Sequence, residues 1–127
     1  MADPTALNEP PEPSDPSDEP GEPARFLTAM TTTDSEQKAE RLARGAIEGR
    51  FAACAQVSAP VTSVFRWEGA VETSQEWQVL FKTAAARYEA LAAYLLEAHD
   101  YDTPEIIATP ITRGSAGYLS WVAKEAS

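Results

Sequence analysis

Two runs of alternating residues decide the fold, VTSVFRW at Val61–Trp67 and EWQVLFKT at Glu76–Thr83. In both runs apolar side chains recur at every second position, the period at which a strand presents successive residues to opposite faces. The turn sequence Glu68-Gly69-Ala70 lies between them. The pattern therefore predicts a long antiparallel hairpin. Apolar residues occupy both of its faces, so we expect one face to be buried against another copy of the chain.

A strand and a helix are predicted before the hairpin. The short apolar run Phe26–Thr31 predicts the strand. Thr33 and Asp34 are followed three residues later by Glu36 and Gln37, which is a doubled capping-box signal for a helix start. The apolar residues of that helix form one stripe at helical spacing: Ala39, Leu42, Ala43, Ala46 and Ile47.

The remaining patterns complete an α+β protein. They predict a second strand at Phe51–Ser58, a helix at Ala84–His99, a strand at Glu105–Ile111 and a short helix at Ser115–Lys124. The order is β-α-β-β-α-β with a terminal helix. This is a ferredoxin-like βαββαβ sandwich with an extended hairpin and a C-terminal helix, in which the helices cover one face of an antiparallel sheet.

Charge and proline divide the chain into two parts. The net charge is −10, and residues 1–23 hold seven acids, no Lys or Arg, and seven of the ten prolines. Such a segment buries too little apolar surface to offset its ordering entropy, so we predict a disordered acidic tail at 1–23 and one folded domain at 24–127. The tail is either a solubilising appendage or a proline-rich ligand for a partner.

Several partners and compartments are disfavoured by the sequence. The sequence has no basic stripe of the kind that binds nucleic acid or an anionic membrane, and no apolar run that is long enough for a membrane helix. The lone Cys54 cannot form an intramolecular disulfide, and the N-terminus lacks the pattern of a secretory signal. We therefore expect a cytoplasmic protein that binds neither nucleic acid nor a membrane.

Five short motifs resemble those of a known family. They are AACAQ at 52–56, SVFRWEG at 63–69, FKT at 81–83, HDYDTPE at 99–105 and YLSW at 118–121. In this order and spacing they resemble the motifs of the CutA divalent-cation tolerance proteins over residues 25–124. Three positions depart from the family pattern: Gln56 replaces the usual Asn, Phe65 the usual Tyr and Asp100 the usual Pro.

The resemblance implies an assembly and a function. It implies a tight homotrimer whose sheets surround the three-fold axis, similar to the PII signalling proteins that bind effectors between subunits. The family name reflects divalent-cation tolerance, with copper binding reported for some members. No reaction is assigned to the family. The sequence also lacks a glycine-rich phosphate loop, a G-x-S-x-G elbow and an H-E-x-x-H motif, so we expect no enzymatic activity.

The candidate metal ligands are His99, Cys54, Asp102 and Glu105. His99 and Cys54 are the only residues of their types, and one pair does not close a metal site. A trimer would supply three copies of each. Cu(II) favours imidazole nitrogen and oxygen ligands, so His99 with nearby carboxylates is chemically suitable. The alternatives are a structural histidine at a helix end and a buried, inert thiol.

A second candidate site is a cleft between subunits lined by Trp67, Lys82, Tyr101 and Glu105. Two aromatic rings, an ammonium and a carboxylate would form a small-molecule pocket, with Lys82 holding an anion. The alternative is an ion pair with packing residues at the interface. Three hypotheses follow: a metal-responsive trimer that binds Cu(II) or another divalent cation, a PII-like small-molecule sensor, and a trimeric scaffold whose tail recruits a partner.

Overall fold

The computed structural model describes residues 24–127, and the predicted tail lies outside them. The strands are β1 (Phe26–Thr33), β2 (Cys54–Val57), β3 (Val61–Trp67), β4 (Ala70–Ala84) and β5 (Ile107–Pro110). The helices are α1 (Glu36–Glu48), α2 (Tyr88–Ala98), which follows a 3₁₀ turn at Ala85–Arg87, and α3 (Ala116–Glu125). Within the described part of the chain, no helix has the length and apolarity to cross a membrane. The α+β class is as predicted.

The long strand β4 organises an antiparallel sheet of order β2-β4-β1-β5. β1 pairs with residues Trp77–Ala84 on one edge of β4, while β2 and β3 lie end to end along the other edge. β2 and β3 together therefore occupy the place of one strand in the predicted order. β5 pairs with β1 at the far side of the sheet.

The first half of β4 extends beyond the rest of the sheet. β1 ends at Thr33, opposite Trp77, so in the described chain Ala70–Glu76 pairs only with β3. We call β3 with Ala70–Glu76 the ribbon. Glu68 and Gly69 connect its strands with φ angles of 49° and 82°, the left-handed pair of a type I′ turn. The predicted three-residue turn is therefore one residue shorter, and β4 begins at Ala70.

Two helices cover one face of the sheet. The buried strand residues Ala29, Val79 and Phe81 pack against a cluster from α1 and α2: Ala39, Leu42, Ala43, Ala46, Leu91 and Leu95. The predicted stripe of α1 is confirmed for four residues. Its fifth member, Ile47, is 39% exposed because it lies in the last turn, beyond the edge of this core.

The capping prediction for α1 was wrong by one to two residues. The N-cap is Ser35, whose hydroxyl accepts a hydrogen bond from the Lys38 backbone N–H at 3.3 Å. Thr33 does not cap the helix because it remains in β1, paired with Trp77 and buried. The sheet thus retains a residue that local sequence assigns to the helix start.

Arg50, which follows α1, binds the end of the C-terminal helix. α3 packs Val122 and Ala126 against Phe26 and Ala53. The Arg50 guanidinium donates to the Lys124 carbonyl at 2.8 Å and to the Ser127 carbonyl at 2.7 Å. Carbonyls at a helix C-terminus lack partners within the helix and carry partial negative charge, so a cation there stabilises it.

Arg50 adopts a left-handed backbone conformation, with φ of 61°. A mutant series can therefore separate the loss of its side-chain contacts from the relief of its backbone strain. We expect Arg50→Ala to lower the free energy of unfolding by about 1 kcal/mol, because both carbonyl contacts are lost. Arg50→Gly loses the same contacts but relieves the left-handed strain, so it should be less destabilised. Urea unfolding measures both, with Arg44→Ala as the exposed control. Equal stability of the Ala and Gly variants would contradict the strain argument.

Candidate functional site

His99 lies at the end of α2 and is 8% exposed. Its Nε2 lies 2.7 Å from the Thr32 carbonyl, and its Nδ1 accepts the Tyr101 backbone N–H at 3.1 Å. Because a carbonyl only accepts and an N–H only donates, this arrangement requires the neutral tautomer with hydrogen on Nε2. Both ring nitrogens are therefore engaged, and a metal bound to His99 would have to displace one of these bonds.

Tyr101 links the loop after α2 to β4. Its hydroxyl donates to Glu76 Oε2 at 2.8 Å, and its ring lies 4.6 Å from the His99 ring between centroids. Glu76 is 8% exposed and occupies the position where the ribbon leaves the sheet. Burial, followed by the bond to Glu76, raises the pKa of the Tyr101 hydroxyl. The three side chains form one polar cluster, which we call the junction cluster.

The raised pKa of Tyr101 predicts an alkaline sensitivity. A phenol whose pKa is higher in the folded chain contributes stability that is present below its unfolded value of about 10 and is lost as pH rises above it. We therefore expect wild-type stability to fall more steeply between pH 9 and pH 11 than that of Tyr101→Phe. Urea unfolding across this range tests it. Parallel pH profiles would show that Tyr101 is not the responsible group.

A second group of side chains lies on the sheet face opposite the helical core. Cys54 pairs across strands with Lys82, and the Lys82 ammonium hydrogen-bonds to Gln56 Oε1. Burial, followed by the neighbouring Cys54, raises the pKa of Tyr118. Gln56, which departs from the family pattern, thus holds Lys82, and Cys54 is partly buried rather than fully enclosed.

The candidate residues do not converge within one chain. Trp67 pairs with Ala70, and Ala70 precedes Lys82 by twelve positions along β4, a separation of about 40 Å. Cys54 lies opposite Lys82, whereas His99 contacts Thr32, which pairs with Gln78; these positions are about 13 Å apart along β4. The predicted cleft and the predicted His–Cys site would therefore each need residues from more than one copy.

The loop carboxylates have different roles. Asp102 and Glu105 are exposed, and neither forms an ion pair or side-chain hydrogen bond within residues 24–127. Asp100 instead accepts a hydrogen bond from Lys38 at 2.5 Å, which lowers the Asp100 pKa and raises that of Lys38. Across residues 24–127, no three His, Cys, Asp or Glu side chains lie close enough together to hold a metal ion.

Sequence reasoning missed Glu76, Lys38 and Thr32 as partners of the candidate residues. Glu76 carried a usable signal, because an acid on the alternating face just before Trp77 sits where polar residues give way to apolar ones. Lys38 and the Thr32 carbonyl carried none, since their contacts join segments more than sixty residues apart.

Comparison with known proteins identifies the family. A family model described as CutA1 divalent ion tolerance protein matches residues 27–125. The divalent-cation tolerance protein CutA of Pectobacterium atrosepticum is 36% identical over 93 residues, covering 73% of this chain and 84% of that protein. Protein CutA of Homo sapiens is 34% identical over 94 residues, covering 74% of this chain and 52% of that protein.

The fold is likewise shared with solved structures. CutA from Synechococcus elongatus aligns with a TM-score of 0.79 and 32% identity, covering 83% of this chain and 93% of that one. CutA1 from Oryza sativa gives 0.79 and 32%, covering 82% and 95%. The ribbon, the junction cluster and α3 all lie inside the matched residues 27–125. The sequence match and the shared fold together show that this chain belongs to the CutA1 divalent ion tolerance protein family.

Proposed function

We propose that the chain acts as a homotrimer of ferredoxin-like protomers that binds a divalent cation, with Cu(II) the first candidate, at sites completed by more than one copy. The observation that carries the proposal is the ribbon. It projects from the sheet with apolar side chains that stay 39% to 65% exposed within residues 24–127. The proposal assigns no reaction to the chain.

The free strand edges support a closed ring of copies. Ala70–Glu76 has an unpaired edge opposite β3, and the outer edge of β5 has no partner among the described strands. A two-stranded ribbon is marginally stable alone in water, and unpaired edges invite strand addition. Because the two edges belong to different surfaces, one edge of a copy would pair with the other edge of the next copy, which is a head-to-tail contact. Such contacts close into a ring when the rotation between copies allows it.

The ligand chemistry supports a shared cation site. Asp102 and Glu105 offer exposed carboxylates on the loop beside His99, and Cu(II) accepts oxygen ligands. The His99 imidazole would join them by giving up one of its two hydrogen bonds. Cys54 offers a sulfur donor on the opposite sheet face. One copy supplies too few adjacent donors for a closed site, so assembly would bring the remaining ligands.

Calorimetric titration of the purified trimer with Cu(II), Zn(II) and Ni(II) tests the proposal. We expect saturable binding that weakens at least tenfold in the double variant Asp102→Asn/Glu105→Gln, because two anionic oxygen ligands are neutralised. Glu40→Gln/Glu89→Gln removes the same charge from exposed helix positions and should bind as wild type. Cys54→Ser removes the sulfur donor, so weaker cation binding in this variant would indicate a site that uses sulfur rather than oxygen ligands alone. Undiminished stoichiometric binding in both Asp102→Asn/Glu105→Gln and Cys54→Ser would refute these ligands.

A small-molecule site between copies is a second candidate. Trp67 is 51% exposed at the tip of the ribbon, where it could reach Lys82 or Tyr101 only in another copy. Binding beside an exposed indole would quench its fluorescence and raise the melting temperature. A metabolite screen in EDTA that leaves both signals unchanged would remove this candidate.

A further inference from the structure

A cleft of about 300 Å³ lies between α1 and the end of α2, within a single chain. One wall is apolar, formed by Leu42, Tyr94 and Ala98. The Tyr94 hydroxyl donates to the Leu42 carbonyl at 3.0 Å, and its ring stacks on Phe51 with centroids 5.3 Å apart. Gly45 permits this approach, because a Cβ there would overlap the Tyr94 ring. The wall is thus a fixed surface for a small apolar group.

The cleft is also lined by charged residues. The Lys38 ammonium bridges Asp34 at 2.9 Å and Asp100 at 2.5 Å, so two carboxylates share one cation and one negative charge is left over. Arg41 also lines the cleft, and its guanidinium has no carboxylate partner within residues 24–127. His99 is neutral in the observed hydrogen-bond arrangement. The charges of Lys38, Arg41, Asp34 and Asp100 therefore sum to zero, and both signs are present at the cleft.

Thr33 supplies an unused polar group in the lining. The residue is 1% exposed, and its Oγ1 has no hydrogen-bond partner in the part of the chain that the structure describes. A buried hydroxyl without a partner destabilises the folded chain, because its hydrogen bonds to water are lost and not replaced. A ligand that brings a hydrogen-bonding group to this point would recover that cost.

We propose that the cleft binds a small α-amino acid with an apolar side chain. The ligand carboxylate meets the Arg41 guanidinium and the Thr33 hydroxyl, its ammonium meets Asp100, and its side chain lies on Leu42 and Tyr94. A simple carboxylic acid would leave the surplus carboxylate unmatched, and a simple amine would leave Arg41 unmatched. The site is complete in one chain and does not depend on the proposed cation function.

Ligand-observed NMR titration of the full chain in EDTA tests the proposal, since free amino acids would otherwise chelate metal. The probes are L-leucine, 4-methylpentanoate, which lacks the ammonium, and isopentylamine, which lacks the carboxylate. We expect saturable leucine binding and affinities at least tenfold weaker for both analogues. No leucine binding up to about 20 mM, or equal binding of an analogue, would overturn the proposal.

Two variants separate binding from folding. Thr33→Val is nearly isosteric and removes an unpartnered hydroxyl, so the free chain should be at least as stable while leucine binds several-fold more weakly. Arg41→Gln should also weaken leucine binding, whereas Arg44→Gln, on the same helix and paired with Glu40, should not. Wild-type leucine affinity in both Thr33→Val and Arg41→Gln would place the ligand elsewhere.

Discussion

Substituting Phe65 and Trp67 together by glutamate is expected to convert the proposed trimer into single chains of 13.7 kDa. The two side chains lie on the same face of the ribbon and are 39% and 51% exposed in the single chain. If another copy covers them, each glutamate must be desolvated at the interface, which costs several kcal/mol per unpaired charge. In a trimer this desolvation cost arises at each of the three interfaces, so the copies should not associate. Sedimentation velocity measures the mass directly.

The matched control places two glutamates on the opposite face of the same ribbon, as Thr73→Glu/Gln75→Glu. This variant has the same added charge, placed on β4 rather than on β3, and we expect it to keep the wild-type mass. A Phe65→Glu/Trp67→Glu protein that sediments as the wild type would show that this face is not the contact. Loss of assembly in both variants would make the ribbon edges, rather than one face, the interface.

His99→Ala should lower the free energy of unfolding by about 2–4 kcal/mol even in EDTA. The substitution removes a buried ring and leaves the Thr32 carbonyl and the Tyr101 N–H without their partner. The loss is structural, so it should not depend on metal. Urea unfolding in EDTA gives the number, and it also decides how any loss of metal binding in this variant is interpreted.

The variant His99→Gln is the control for His99→Ala. Its amide can donate to the Thr32 carbonyl as Nε2 does, so His99→Gln should recover about 1 kcal/mol relative to alanine. Wild-type stability of His99→Ala in EDTA would contradict the structural role and leave cation binding as the better explanation of this histidine.

The fold was predictable because its determinants are local and periodic. Trp77, Val79 and Phe81 recur at every second position of β4, and Val79 and Phe81 are fully buried, as the period of two required. The first half of β4 was missed because Glu72–Gln75 is polar throughout and shows no apolar alternation. β5 proved shorter than the predicted Glu105–Ile111 because it pairs with only four residues of β1.

The candidate site was predictable in its residue types and not in its geometry. His99 and Tyr101 were identified from a motif, and they do lie together. Their partners, Thr32 and Glu76, come from strands that only the tertiary fold brings near, and no local pattern encodes such a contact. Asp100 shows the same limit: its replacement of proline creates an ion pair with Lys38 that sequence alone does not reveal.

β4 is one unbroken strand of 15 residues, and the junction cluster lies at Glu76, where the ribbon leaves the sheet. In the proposed assembly a neighbouring copy would bind the tip of the ribbon, while Trp77–Ala84 stays paired in the sheet. A change in the tilt of the ribbon would then move Glu76, to which the Tyr101 hydroxyl is hydrogen-bonded. By thermodynamic reciprocity, if binding at the tip alters the bond between Tyr101 and Glu76, a change in that bond alters binding at the tip by the same free energy.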